Sequence, residues 1–136
     1  MEVRPYLFFE GRCEEALEFY RKAAGAQVEA LLRYRDGPKP AQPGMIPAGA
    51  EDKVMHAAMK IGETVVMASD GRCTGRGAFG GFSLSINARD EKHAQALFSA
   101  LGEGGQVQMP LMKTFFSPAF GMLTDRFGVP WMVIVA

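Results

Sequence analysis

An order of secondary-structure elements that occurs twice in 136 residues constrains the fold more than any other feature. Hydrophobic periodicity predicts a strand, a helix and three further strands in each half of the chain. A shift of 78 positions carries four apolar positions of the first helix onto four of the second. These positions are Ala16, Phe19, Tyr20 and Ala23, and Ala94, Leu97, Phe98 and Leu101. After one further residue, Gln27-Val28-Glu29 maps onto Gln106-Val107-Gln108, so the sequence predicts a duplicated β-α-β-β-β module.

The predicted modules span residues 1–70 and 81–136, joined by a glycine-rich connector over 71–80, within one domain that covers 1–136. The first module has predicted strands over 3–9, 27–34, 54–60 and 64–69, and a helix from Cys13 that Gly25 ends. The second has predicted strands over 82–87, 106–111, 115–123 and 131–135, and a helix between Asp90 and Gly102. Residues 36–52 contain four prolines and three glycines, which fits either a functional loop or a surface insertion.

Composition excludes several classes of function. Fifteen basic and fifteen acidic side chains cancel and form no basic stripe, which argues against nucleic acid as a partner. No apolar run approaches the roughly 18 residues of a membrane helix, and the first residues do not resemble a signal peptide. Cys13 and Cys73 lack a metal-binding spacing, so we expect free thiols in a reducing compartment. We therefore expect a cytoplasmic protein without a membrane partner.

Four short sequence segments carry a resemblance to a known family. They are Pro5-Tyr6-Leu7 before Phe9-x-Gly11, Ala16-Leu17-x-Phe19-Tyr20 before Gly25, Met67-Ala68-Ser69-Asp70, and the closing Thr124-Asp125-Arg126-Phe127-Gly128-Val129-Pro130-Trp131-Met132. With the duplicated module, they resemble the PhnB-like branch, often labelled 3-demethylubiquinone-9 3-methyltransferase, of the vicinal-oxygen-chelate superfamily. That superfamily includes glyoxalase I, bleomycin-resistance proteins and extradiol dioxygenases. The resemblance implies a homodimer with an α+β fold, in which two βαβββ modules form curved mixed sheets around a cavity.

The resemblance also implies where metal ligands would lie. Metal enzymes of the superfamily carry His or Gln on the first strand of each module and Glu on the last. Carried over residue by residue, these positions are Pro5, Met67, Gly81 and Met132. None of the four is a ligand for Zn, Ni, Mn or Fe, because these ions take imidazole, carboxylate or thiolate donors. We therefore expect no metal and no other cofactor.

Strand alternation extends the same face and predicts the lining of the cavity. The further residues on this face are Leu7, Phe9, Val65, Ser69, Ser83, Ser85 and Ile134. The lining is mostly apolar with a few hydroxyl groups, which suits a small organic ligand with few polar anchors. An interior filled by its own side chains fits the pattern equally well.

His56 and Asp70 are the candidate catalytic residues. A two-residue turn at Ile61-Gly62 or at Gly62-Glu63 turns His56 toward the face of Met67, where it could anchor a ligand or act as a general base. A structural histidine at the sheet surface is the alternative. Asp70 could hold a polar ligand group at the cavity mouth, or it could form the turn before Gly71.

Two aromatic positions and one further carboxylate complete the candidates. Phe116 and Phe120 are predicted on one face of a strand, where they could cap the cavity, form a subunit interface or join the core. Trp131 is predicted on the face opposite Met132, in the core. The Asp-x-x-Gly turn that contains Asp125 favours a structural role for this residue.

Three functions remain open. The first is a binding protein for an unknown small molecule, held by Phe9, Met67, Ser69, Ser83, Ser85, Phe116 and Met132. The second is a lyase, isomerase or dioxygenase that uses His56 and Asp70. The third is the methyltransferase that the family label names. It ranks last, because the connector glycines precede a strand instead of opening a helix and form no nucleotide-binding loop.

Overall fold

The computed structural model describes residues 1–37 and 49–136, so most of the predicted 36–52 loop lies outside the described residues. The chain has an α+β fold of two four-stranded mixed sheets, each accompanied by one helix. It divides into two compact units, Met1–Gly77 and Ala78–Ala136. Each unit has the element order β-α-β-β-β, which confirms the predicted duplicated module.

The first unit holds strands β1 to β4 and helix α1. Its elements are β1 (Tyr6–Phe8), α1 (Cys13–Ala24), β2 (Gln27–Arg33), β3 (Val54–Ile61) and β4 (Thr64–Ser69), with a short 3-10 turn at Tyr34–Asp36. The sheet order is β1-β4-β3-β2. Strand β1 runs parallel to β4, and the other neighbouring strands are antiparallel.

The second unit repeats this arrangement. Its elements are β5 (Leu84–Ala88), α2 (Glu91–Gly102), β6 (Gln106–Met112), β7 (Phe120–Thr124) and β8 (Pro130–Val135). The sheet order is β5-β8-β7-β6, and β5 is parallel to β8. Across the described parts of the chain, neither helix is long and apolar enough to cross a membrane.

The repeat extends to details of the backbone. Helices α1 and α2 both have 12 residues and begin 78 positions apart, at Cys13 and Glu91. Strands β2 and β6 both carry an irregularity after their second residue, where Glu29 and Gln108 fall between paired residues. An extra residue at this point bends a strand and increases its twist. The weak sequence echo therefore corresponds to a shared backbone geometry.

Two predicted strands are shorter than expected. Strand β1 has only three residues instead of the predicted seven from 3 to 9. The predicted strand over 115–123 begins only at Phe120, because the segment before it folds into a turn. In that turn the Thr114 N–H donates to the Ser117 carbonyl at 2.9 Å, and the buried Ser117 hydroxyl donates to the Ala119 carbonyl at 2.8 Å. Phe115 and Phe116 therefore lie in a turn and not in a strand.

Each sheet packs one face against its helix. In the first unit this face includes Leu7, Ala57, Met59, Val66 and Ala68, which are all 3% exposed or less. In the second unit a side chain at Gly121 would collide with the Phe98 ring of α2, which places Gly121, its neighbour Val133 and the alternate residues on the helix side. We call the opposite face of each sheet, which points away from its helix, the far face.

A buried carboxylate ties the first unit together. Asp70 is 1% exposed, and its Oδ1 accepts the N–H groups of Gly11 at 3.1 Å and Cys13 at 2.7 Å. Its Oδ2 accepts the N–H of Val54 at 2.7 Å. Helix α1 has no side-chain cap from its own N-cap residue, Arg12, so Asp70 satisfies amides at its start from a distant strand. One side chain thus joins the starts of α1 and β3 to the end of β4.

A second buried carboxylate, Asp125, stabilises the turn before β8 by accepting hydrogen bonds. The Oδ1 of Asp125 accepts the N–H groups of Phe127 at 2.9 Å and Val129 at 3.0 Å. Its Oδ2 accepts the indole N–H of Trp131 at 2.8 Å. Trp131 is 2% exposed, on the face opposite Met132 as predicted, and Asp125 has the structural role that its turn motif favours.

The Cys13 thiol lies in the core beside Asp70. It is fully buried, and desolvation, followed by the nearby charges of Asp70 and Glu14, raises its pKa from 9.0 to about 12. A thiol with this pKa stays protonated at neutral pH and is a poor nucleophile. Cys13 is therefore a core side chain and not a reactive group.

Replacing Asp70 with Asn should destabilise the protein strongly. The amide group keeps the shape of the side chain but loses the charge and one acceptor oxygen, which leaves a buried N–H without its partner. We expect the free energy of unfolding, measured by urea denaturation, to fall by about 3 kcal/mol. Asp52→Asn is the matched control, since the Asp52 side chain is 79% exposed and pairs with Arg35 on the surface. Equal effects of the two changes would contradict the role assigned to Asp70.

Stability should depend on the Cys13 thiol at alkaline pH. Because the folded-state pKa is raised, the unfolded thiol ionises first, so the contribution of Cys13 is intact below pH 9 and is lost as the pH rises toward 12. We expect the wild-type free energy of unfolding to fall relative to Cys13→Ala by roughly 1 kcal/mol per pH unit in this window. Parallel pH profiles for the two proteins would contradict the assignment.

Candidate functional site

The register of β1 against β4 decides which side chains line the far face of the first sheet. Tyr6 pairs with Met67 and Phe8 pairs with Ser69, so Tyr6 and Phe8 share the far face. The prediction that Leu7 shares the face of Met67 is wrong, because Leu7 pairs with the buried Ala68 on the helix side. A shift of one residue moves every side chain of a strand to the other face, and the carried-over position Pro5 lies just before the strand.

Phe9 belongs to the core and not to the predicted ligand lining. It is 2% exposed, and its ring centroid lies 6.0 Å from that of Tyr20 on α1. Its N–H donates to the Ser69 carbonyl at 2.8 Å, which continues the pairing of β1 with β4 by one residue. Phe9 therefore follows Leu7 onto the helix side.

His56 lies on the far face, and its partner is Tyr6. The turn between β3 and β4 is Gly62-Glu63, which sets Ala58 opposite Met67 and turns His56 to the same side. The Tyr6 hydroxyl lies 3.2 Å from His56 Nδ1, and the two ring centroids are 5.6 Å apart. Phe8 stands 5.0 Å from the Tyr6 ring. The first sheet thus presents a phenol–imidazole pair within an apolar surface.

Tyr6 was missed by the sequence reasoning. The sequence could have narrowed the neighbour of Met67 to Tyr6 or Leu7, because the first strand of the module pairs with its last strand. The choice between the two depends on register, and a three-residue strand without polar alternation does not specify register from its own sequence.

Ser69 and Asp70 do not present their polar groups at the far face. Ser69 is 3% exposed, and its hydroxyl accepts the N–H of Gly71 at 3.1 Å within the turn that follows β4. The Asp70 carboxylate accepts three backbone N–H groups, as described above. The contacts of Asp70 thus favour the structural role over a position at a cavity mouth.

The far face of the second sheet carries a row of methionines. Met132 pairs with Met122 on one side and with Ser85 on the other, and Met122 pairs with Met109. The next row along the sheet contains Asn87, Ile134, Phe120 and Met112. Ser83 and Gly81 precede β5, so neither stands in a row of the sheet. Ser85 and Met132 therefore share one face, as predicted, and Asn87 joins them.

Phe116 contacts Phe120 from the preceding turn. The two ring centroids are 5.0 Å apart at an angle of 85°, and Phe115 stands 5.2 Å from Phe116. Phe120 is 6% exposed, whereas Phe116 is 51% and Phe115 fully exposed. The prediction that Phe116 shares a strand face with Phe120 is wrong, but the two rings still form an edge-to-face pair.

A charged groove of about 400 Å³ lies at the start of α1, lined by Gly11, Arg12, Glu14, Glu15, Arg33, Asp52, Lys53 and Asp70. Its charges are engaged with one another. Arg33 donates to both carboxylate oxygens of Glu14, which holds the pKa of Glu14 below its ordinary value, and Lys53 donates to the Gly11 carbonyl at 3.0 Å. These contacts connect α1 with β2 and with the segment before β3.

The connector after β4 is organised by Glu10. Its carboxylate accepts the N–H groups of Arg72 at 3.2 Å and Thr74 at 3.3 Å. Glu10 and Cys73 both adopt positive φ angles, 51° and 58°, which non-glycine residues rarely do. Burial, followed by the charge of Asp70, raises the pKa of the Cys73 thiol, so this thiol is not an activated nucleophile.

The two methionines at the carried-over Glu positions are equivalent in the structure. Met67 and Met132 both lie on the far face of the last strand of their unit, beside Tyr6 and Ser85 respectively. In each unit the methionine thioether thus has one oxygen donor beside it, the phenol of Tyr6 in the first unit and the hydroxyl of Ser85 in the second. Within residues 1–37 and 49–136, no three His, Cys, Asp or Glu side chains are grouped so that they could hold a metal ion.

Comparison with known proteins places the chain in one family. The family described as 3-demethylubiquinone-9 3-methyltransferase matches residues 1–134. Protein YjdN of Escherichia coli K12 is 31% identical over 140 residues, which cover 99% of this chain and 95% of YjdN.

Solved structures agree with this assignment. Protein PA1353 from Pseudomonas aeruginosa is 43% identical, with a TM-score of 0.85 over 99% of this chain and 97% of that chain. The PhnB protein from Bacillus cereus is 28% identical over the full length of both chains, with a TM-score of 0.81. The fosfomycin resistance protein FosX from Listeria monocytogenes shares the fold alone, at 7% identity and a TM-score of 0.64 over 100% of this chain and 93% of that chain. The chain therefore belongs to the 3-demethylubiquinone-9 3-methyltransferase (PhnB) family, and it has the glyoxalase-like fold of the vicinal-oxygen-chelate superfamily.

Proposed function

We propose that this protein binds a small, partly apolar organic molecule on the far face of its first sheet, without the divalent metal used by enzymes of the superfamily. The observation that carries the proposal is the Tyr6–His56 pair, in which a polar couple stands among apolar side chains on a sheet surface. Sites for small molecules commonly combine an apolar lining with a few oriented polar groups.

The surroundings of the pair support an apolar ligand. Phe8 and Leu32 are 52% and 46% exposed, and Leu32 pairs directly with His56. Met67 is half-buried beside Tyr6 and offers a flexible, polarizable thioether. An exposed apolar surface around one polar couple is more typical of a binding site than of a solvent-facing sheet.

The hydrogen bond of the pair indicates the polarity that the ligand needs. In the arrangement that we propose, the Tyr6 hydroxyl is the donor to His56 Nδ1, so that the ring hydrogen of His56 lies on Nε2. Nε2 is thus a hydrogen-bond donor toward the ligand. The matching ligand is an apolar molecule that carries a carbonyl or carboxylate acceptor.

The donor set supports a metal-independent function. Met67 and Met132 stand at the positions where the resemblance implies metal-binding glutamates, and a thioether is a poor ligand for a divalent metal of borderline hardness. Ligand binding would then rest on shape, apolar contact and the His56 donor. The far face of the second sheet, with Met132, Ser85 and Asn87, offers a further surface of the same mixed character.

An enzyme that uses His56 as a general base is the alternative. In that role Nδ1 carries the ring hydrogen and donates to the Tyr6 oxygen, which leaves Nε2 free to accept a proton, whereas Asp70 is occupied by backbone amides. Turnover of a bound carbonyl compound that is abolished in His56→Gln would favour this lyase or isomerase function. The methyltransferase remains the last candidate, and calorimetric titration with S-adenosylmethionine tests it directly.

Binding at the Tyr6–His56 pair is tested by nuclear magnetic resonance with benzoate, the simplest aromatic carboxylate. We expect saturable shifts of the His56 imidazole and of the Met67 methyl group. Tyr6→Phe no longer fixes the orientation and tautomer of His56, so it should weaken binding by up to about tenfold, the scale of one neutral hydrogen bond.

His93→Gln is the control for this titration. His93 lies on α2, where its Nδ1 accepts the Arg89 N–H at 3.0 Å, so its loss should leave benzoate binding unchanged. Shifts confined to Arg33 and Lys53 would move the site to the charged groove and contradict the proposal. The absence of saturable shifts for benzoate and for larger aromatic acids would contradict it as well.

We also propose that the protein is a cytoplasmic homodimer. Strands β2 and β6 are the edge strands of their sheets and expose matching apolar residues, Val28 and Leu32 on one and Val107 and Met112 on the other. Exposed apolar edge strands invite pairing with another chain. Light scattering should give twice the mass of the 14.8 kDa chain, and Val28→Lys with Val107→Lys should shift it to the monomer. A monomeric mass for the wild-type protein would contradict the dimer.

A further inference from the structure

Three thioethers stand side by side on the far face of the second sheet. Met109 on β6 pairs with Met122 on β7, and Met122 pairs with Met132 on β8. The three residues therefore form one row that crosses three neighbouring strands at right angles. All three are half-buried, so they are shielded from bulk water and still reachable from outside.

The register of the three strands sets the spacing of the row. Directly paired residues of neighbouring strands have Cβ atoms about 5 Å apart. Methionine has three rotatable bonds beyond its Cα, so neighbouring thioethers can turn toward a common point without moving the backbone. Met122, at the centre of the row, has a methionine on both sides.

The chemistry of thioethers selects the ion. Thioether sulfur is a soft, neutral donor that binds divalent ions of borderline hardness poorly and binds Cu(I) well. The residues that flank the row do not add carboxylates or imidazoles: Thr124, Pro130 and Gln106 lie in the row on one side, and Phe120 and Ile134 in the row on the other. A neutral donor set in a partly apolar setting suits a monovalent ion, because little charge needs to be compensated.

We propose that Met109, Met122 and Met132 form a binding site for a soft monovalent cation, Cu(I) or its analogue Ag(I). The site coordinates the ion through thioether sulfur alone, and binding involves no change of oxidation state. It shares no residue with the proposed organic ligand site at Tyr6 and His56, which lies on the other sheet. Of the three, Met132 stands at a position carried over from the metal-binding glutamates of the superfamily, and its thioether prefers a softer class of metal.

The test uses the full-length chain with Cys73→Ser as the background, because a thiol would compete for the ion; Cys13 is fully buried and stays in place. Under anaerobic conditions, Ag(I) is added to protein labelled with ¹³C at the methionine methyl groups. We expect the methyl resonances of Met109, Met122 and Met132 to shift together and to reach saturation at one equivalent. Competition with a Cu(I)-specific chelator then gives the affinity for Cu(I).

Substitution of Met by Leu keeps volume and hydrophobicity and removes the donor. Met122→Leu should weaken Cu(I) binding by about tenfold or more, the scale of effect seen when a metal site loses one of its supporting groups. Met112→Leu is the matched control, since Met112 lies on the same face in the next row and is 49% exposed. It should bind Cu(I) as the background protein does.

Equal affinities in Met122→Leu and Met112→Leu would overturn the proposal, as would Cu(I) binding that disappears with Cys73. Shifts spread over all exposed methionines without saturation would overturn it too, because they would indicate contact with single thioethers. Benzoate binding at His56 is measured in a separate titration. A negative result for Cu(I) therefore does not contradict the proposed organic ligand site, and a negative result for benzoate does not contradict the Cu(I) site.

Discussion

The parallel pairing of β1 with β4 is the interaction on which the candidate site depends. It extends over few residues: Met67 N–H donates to the Pro5 carbonyl at 2.9 Å, and the pairing ends with Phe9 N–H on the Ser69 carbonyl. A slip of one residue would replace Tyr6 by Leu7 beside Met67 and remove the phenol from His56. Asp70 opposes that slip, because its carboxylate holds the amides of Gly11 and Cys13, the residues that follow β1. A buried structural carboxylate therefore helps to fix the position of the Tyr6–His56 pair.

The duplication supplies one backbone with two different surfaces. The rows through Met67 and Met132 occupy equivalent places in the two sheets, yet their other members differ in chemistry. The first row reads Tyr6, Met67, Ala58 and Ala30, and the second reads Ser85, Met132, Met122 and Met109. Small residues in the first row leave space beside the phenol and imidazole, whereas thioethers fill the second. Helix-side positions stay apolar in both units, because they form the core. The far faces are thus where the two modules have diverged.

Features set by local rules could be read from the sequence. The ends of α1 follow from charges in its first and last turns and from Gly25, which adopts φ 68°. The Gly62-Glu63 turn fixes the face of His56, and alternation places Trp131 in the core. Features set by tertiary contacts could not be read in this way. Which residues of β1 face the helix depends on its partner strand, and the turn at Phe116 depends on the Ser117 hydroxyl, which lies 2.5 Å from the distant Val135 carbonyl. The amides that meet at Asp70 come from two segments far apart in the chain, Gly11 and Cys13 from one and Val54 from the other.

The most direct measurement of the central claim is a high-resolution crystal structure of the protein purified without added ligand. We expect electron density for a small organic molecule on the far face of the first sheet, in contact with Met67 and with an acceptor atom within hydrogen-bond distance of His56 Nε2. We also expect the Tyr6 hydroxyl to keep its contact with Nδ1. A far face filled by the protein's own side chains, with His56 turned away from Tyr6 and buried, would contradict the account.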